Sequence, residues 1–163
     1  LQFALHPADN VVIGVKREIK TAPSPLGDNV EKSVVEKYGE PTRRMADEKR
    51  RELVWIYKSD GSVLPEKEMI AYECFQNAKE MFGYFGSSGG FDIGPYADRF
   101  LAKGCVAIVS VVIDAPNNLA KTVVYRAVDA FGWRSSQDRA NQVIADFEKK
   151  QRDAAASVKP PNE

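Results

Sequence analysis

The chain has 163 residues, with 23 basic and 23 acidic side chains, 44% hydrophobic and 28% charged residues. That is ordinary globular composition, and the length suits one domain with a buried core. The apolar runs are too short for a transmembrane helix, and the zero net charge argues against a nucleic-acid binder.

Residues 1–10 read as an N-terminal tail that carries the single histidine, His6, beside Pro7. The chain opens on Leu1 rather than methionine, as a chain with a removed signal peptide or a trimmed boundary would. Residues 11–21 predict a strand, with Val11, Ile13, Val15 and Ile19 alternating with Lys16, Glu18 and Lys20. Pro23 and Pro25 end it, because proline donates nothing to a sheet ladder. Residues 28–38 predict a helix with Val30, Val34 and Tyr38 on its inner stripe, opened by an Asp28–Glu31 capping box. Gly39 and Pro41 close it.

A hairpin follows, with a short polar arm at 42–45, a charged connection at 46–50 and a second arm at 51–58. Leu53, Trp55 and Tyr57 share one face of that arm and Val54 and Ile56 the other, the pattern of a strand covered on both sides. Ser59, Asp60 and Gly61 form a turn signal. Residues 65–82 predict a helix from the spacing of Ala71, Cys74, Phe75, Ala78 and Phe82, with Pro65 at its first position. The rival reading is a strand over 69–75 followed by a loop. Residues 83–94 are rich in glycine but fit neither GxxxxGK[ST] nor GxGxxG, so the stretch reads as a loop without a phosphate-binding motif.

Residues 105–114 are apolar on both faces and predict a central strand, in which Val109→Asp should destabilise strongly. A turn at 115–118 leads to a hairpin partner over 119–130. Residues 136–156 predict a helix whose stripe of Ala140, Val143, Ile144 and Phe147 should pack on the sheet. Asp146 with Lys150, and Glu148 with Arg152, are favourable pairs on it. Residues 157–163 read as a C-terminal tail. The expectation is a single α+β domain over 11–156. It has an antiparallel sheet of about five strands with two or three helices packed on it, the 28–38 and 136–156 helices among them.

With one histidine in a tail, histidine-based triads and zinc sites lack their usual groups, and no cofactor or metal is expected. The two cysteines, Cys74 and Cys105, form no CxxC pair, which leaves a bridge, two buried thiols or one reactive thiol. Arg43, Arg44, Lys49, Arg50 and Arg51 alternate with Asp47, Glu48 and Glu52, which reads as a solvated rim rather than a nucleic-acid patch. Glu36 with Glu40, and Asp92 with Asp98, are carboxylate pairs by spacing alone, and spacing shows no environment to separate their pKa values. Tyr84, Phe85, Phe91 and Tyr96 lie in the glycine-rich stretch and are the candidate binding anchors, since aromatic rings bury much area with few rotors.

Residues 30–57, where a helix runs into Tyr38-Gly39-Glu40-Pro41 and then a hairpin with Trp55 and Tyr57, are similar to small exported bacterial proteins, the SmpA/OmlA lipoprotein family among them. Over most of its length the chain resembles uncharacterised exported proteobacterial proteins. These share an initial strand, a helix ending in KYGxP as at residues 37–41, a hairpin tryptophan as at Trp55, and two separated cysteines as at Cys74 and Cys105. That resemblance implies export to the periplasm or beyond, and a Cys74–Cys105 disulfide; it implies no reaction. The function expected is therefore that of a non-catalytic, exported binding or envelope-associated protein, acting through contacts with an envelope or secreted protein partner. A small hydrolase using carboxylates near Asp92 and Asp98, and a structural fragment of a larger assembly, are the alternatives.

Overall fold

The computed structural model describes residues 2–3, 12–83 and 93–157. Its strands are β1 (Gln2–Phe3), β2 (Val12–Lys20), β3 (Arg43–Ala46), β4 (Arg50–Lys58), β5 (Cys105–Asp114) and β6 (Thr122–Asp129). Its helices are α1 (Gly27–Tyr38), α2 (Met69–Gly83), α3 (Gly94–Ala102) and α4 (Ala130–Ser157). The strands form one antiparallel sheet in the order β1-β2-β6-β5-β4-β3, so the expected α+β class holds, with five substantial strands and a two-residue edge. The four helices exceed the two or three expected, and α3 is the addition.

β5 sits at the middle, between β4 and β6, and both β4 and β5 are covered on both sides. Leu53, Trp55, Val111, Ile113 and Val123 pack under α1 through Val34, with Val30 and Tyr38 beside them. On the opposite face Val54, Ile56, Ile108 and Val128 pack under α2, α3 and α4 through Cys74, Ala78, Met81, Phe100 and Trp133. The alternation read from β4 thus divides two separate cores. Trp55 is fully buried, donates from its indole N–H to the Gly39 carbonyl at 3.0 Å, and stacks beside Tyr38 at 5.7 Å.

Several element boundaries differ from expectation for local reasons. After the Asp60 turn, Leu64 donates to the Ile56 carbonyl at 2.8 Å and is buried, so the chain clings to β4 before a turn at Pro65. The helix then starts at Met69 and not at Pro65. The 69–83 segment is a helix, which excludes the strand alternative. α3 begins with Pro95 in its first turn and buries Ala97 and Phe100; it ends before Gly104, whose φ of 79° suits glycine. α4 starts six residues before the predicted Ser136, directly from the end of β6. Asp129 makes this possible, because its carboxylate accepts from the Gly132 N–H at 2.8 Å and caps the helix. A side chain at Gly132 would collide with that carboxylate, 2.5 Å from an ideal Cβ position.

Asp28 does not cap α1. The capping position is Leu26, with no side-chain cap, and Asp28 lies inside the first turn. Its carboxylate pairs with Arg51 at 2.5 Å and accepts from the Asn118 amide at 2.8 Å, tying α1 to β4 and to the β5–β6 turn. Arg51, with its side chain 19% exposed, also reaches Glu31 at 3.3 Å. The Arg51 and Asn118 bonds hold the Asp28 carboxyl below its ordinary value of 3.8. A carboxyl lowered by folding stabilises the folded chain above the ordinary value, and that contribution is lost as pH falls through the folded value. Asp28→Asn is expected to lower the melting temperature at neutral pH, with the gap to the parent closing as pH falls below the ordinary carboxyl value of 3.8. A gap that stays constant from neutral to strongly acid pH would show that the ionised carboxylate is not what holds the junction.

Candidate functional site

Cys74 on α2 and Cys105 at the start of β5 are joined by a disulfide, and both are fully buried. The bond ties the α2–α3 layer to the central strand. Lys103, in the turn between α3 and β5, adds an ion pair to Glu73 of α2 at 2.5 Å.

Of the aromatic residues expected to bind, Tyr84, Phe85 and Phe91 lie outside the described residues, as do His6 and Asp92. Tyr96 belongs to α3 rather than to a loop; it is half-buried against the core, with Arg99 over its ring at 5.6 Å. Asp98 pairs with Arg134 of α4 at 3.1 Å. Among the described residues, no group of three or more His, Cys, Asp and Glu side chains stands close enough to hold a metal ion.

The basic run of the hairpin is divided between the two faces of the sheet. Arg44 is taken by Glu40 at 2.5 Å and Glu31 at 3.4 Å, and Arg51 by Asp28 and Glu31. Arg43 lies over the Phe75 ring at 4.8 Å. The run is a compensated rim, as its composition indicated. A depression of ≈ 500 Å³ beside α1, lined by Glu36 and Glu40 among others, is bordered by these same paired charges. Asp47 and Asp60 are held below the usual carboxylate range by bonds from Lys49 and Arg50 and from Ser62 within their own turns. That direction is opposite to the raised pKa a general acid needs.

A second cleft, of ≈ 370 Å³, opens between α2 and the sheet. α2 presents Phe75, Lys79 and Phe82 to it, spaced on one helical face; Met45 lines it from β3, Arg50 and Glu52 from β4, and Arg126 from β6. The buried Ser110 of β5 donates to Glu52 at 2.8 Å, and Glu52 also pairs with Arg50 at 3.4 Å. Arg126 is half-buried, with Phe82 5.8 Å from its guanidinium. No single segment holds this site. The available hints in the sequence are a lone arginine inside the apolar strand 123–128 and a lysine between two phenylalanines on a helix.

α4 provides a surface of another kind. Its first three turns pack against the body through Trp133, Ser136 and Ala140. Beyond them every residue from 141 to 153 is exposed. The stripe of Ala140, Val143, Ile144 and Phe147 was expected to lie on the sheet, but only Ala140 does; Val143, Ile144 and Phe147 are 51%, 47% and 61% exposed. The helix has 28 residues, and at ~1.5 Å per residue it outruns the sheet face that covers its start. Its apolar stripe continues past the edge of the domain. Asp146 accepts from Gln142 at 2.9 Å on this projecting part.

No protein-family model, curated protein or solved structure matches the chain. Among the described residues, no helix is long and apolar enough to cross a membrane.

Proposed function

We propose that this chain is an exported, non-catalytic binding protein of the bacterial envelope or secreted space. It acts through protein–protein contacts carried by the projecting half of α4. The observation that carries the reading is the stripe of Val143, Ile144 and Phe147, which continues the buried seam of Trp133, Ser136 and Ala140 into solvent. A seam of this kind is stable when a second helix lies along it. The Cys74–Cys105 bond and the likeness to exported proteins support the compartment, since such bonds persist where thiols are oxidised.

The occupant we assign is α4 of a second copy, running antiparallel. Asp146 and Lys150 flank the stripe on one side, one helical turn apart. In an antiparallel pair, Asp146 of each copy faces Lys150 of the other, so the surface is complementary to itself. Two helical ridges of this length form a modest interface, so association should depend on concentration.

Sedimentation velocity over a broad concentration range tests the reading. The parent is expected to move from monomer to dimer as concentration rises. Val143→Ser with Phe147→Ser should remain monomeric with its melting temperature held, because both side chains are solvent-exposed in the monomer. A parent that stays monomeric throughout, or a double variant that associates like the parent, would overturn it.

A further inference from the structure

We propose that the cleft between α2 and the sheet binds a small amphiphilic monoanion, with its charged head on Lys79 and Arg126 and its apolar body against Met45, Phe75 and Phe82. The inference is independent of the α4 contact.

The charges around the cleft are unbalanced. Glu52 is engaged by Ser110 and Arg50. Among the described residues, Lys79 and Arg126 form no ion pair. Arg126 on β6 also stands directly opposite Lys16 on β2. Like charges at opposed positions of an antiparallel pair destabilise the sheet. An anion in the cleft would relieve it. A half-buried guanidinium beside low-dielectric aromatic walls also strengthens its attraction for an anion relative to an open surface.

The apolar side of the cleft selects the rest of the ligand. Phe75 and Phe82 are one helical stripe on α2, and Met45 faces them from β3. A thioether adapts its shape to an aliphatic chain or a small ring. The volume of ≈ 370 Å³ lies at the small end of ligand pockets. Arg50 balances Glu52 in the lining, which leaves Lys79 and Arg126 to share the oxygens of one head group. Together these features point to a short-chain carboxylate or an equivalent singly charged head on an apolar body, rather than a free inorganic anion or a neutral lipid.

The test uses octanoate as probe, with octanol, acetate and inorganic phosphate as comparisons. Binding is followed by calorimetry and by amide shifts in two-dimensional NMR of the full chain. Octanoate is expected to bind saturably and to shift amides of α2 and β6. Octanol and acetate, each carrying half of the chemistry, should bind at least about tenfold more weakly. Lys79→Gln and Arg126→Gln should each weaken octanoate by about tenfold. Lys79 is exposed on α2, so its variant tests the site even if Arg126→Gln destabilises the fold. Equal binding of octanol would reveal only a greasy surface, and tighter phosphate binding a plain anion site. Either result, unsaturable shifts, or parental affinity in Lys79→Gln, would overturn the proposal.

Discussion

Replacing Cys74 and Cys105 by alanine is expected to cost ~4 kcal/mol of stability, and roughly 10 °C in melting temperature for a chain of this size. The cysteines are separated by 31 positions, so the bond closes a long loop that the unfolded chain would otherwise explore. Both residues are fully buried, so the two truncations also remove packing. The loss should not be uniform. The bond joins α2 to the start of β5, and α3 lies within the loop it closes. Hydrogen exchange in the double variant should therefore rise first in α2 and α3, while amides of β4, β5 and β6 open only with global unfolding. Intact mass without reductant should be two hydrogens below the reduced chain, and no thiol should alkylate before unfolding. Two alkylatable thiols in the native oxidised protein, or a double variant as stable as the parent, would contradict this.

Val111→Asp is expected to destabilise by on the order of 4 kcal/mol, enough to leave much of the chain unfolded near body temperature. Val111 is fully buried in the core beneath α1, opposite Leu53 on β4 and Tyr125 on β6. A carboxylate there has no cation within its own core and no path to water. Val109, two residues earlier on the same face, is only half-buried, so Val109→Asp should cost about 1–2 kcal/mol. This corrects the expectation from sequence, where an apolar run broken only by Ser110 marks Val109 as a fully buried position. The difference arises because α1 covers one part of that face, and periodicity along β5 carries no information about where a helix elsewhere in the chain ends. Urea titration of the two variants measures the ratio. Equal losses would mean that the α1 layer does not define the core.

Elements whose pattern is carried by their own residues were legible. β4 and β5 show apolar side chains on both faces because both faces are covered, and α1 is framed by Pro25, Gly39 and Pro41. α3 was missed because it is short, follows a glycine-rich run and buries few side chains; Pro95 was its available start signal. The start of α4 was missed because β6 passes into it with no loop, and the Asp129 cap resembles any strand-end aspartate. Asp28 was misplaced as a cap because its partners, Arg51 and Asn118, are distant in sequence. The same limit hid both surfaces. The spacing of Val143, Ile144 and Phe147 reveals an amphipathic helix but not whether its own domain covers the stripe. The cleft draws Met45, Glu52, Phe75, Lys79 and Arg126 from four elements, and no local pattern joins them.

The pairing of α4 with itself is tested most directly by charge exchange across the stripe. Asp146→Lys and Lys150→Asp are made in separate chains; both positions are exposed, so each chain should fold like the parent. Alone, each variant places like charges opposite one another in the antiparallel pair and should sediment as a monomer where the parent dimerises. Mixed in equal amounts, they restore opposite charges at both positions and should sediment as a dimer containing one chain of each kind. Self-association of either variant at parental strength, or a mixture that remains monomeric, would contradict the assignment of a second copy to the α4 surface.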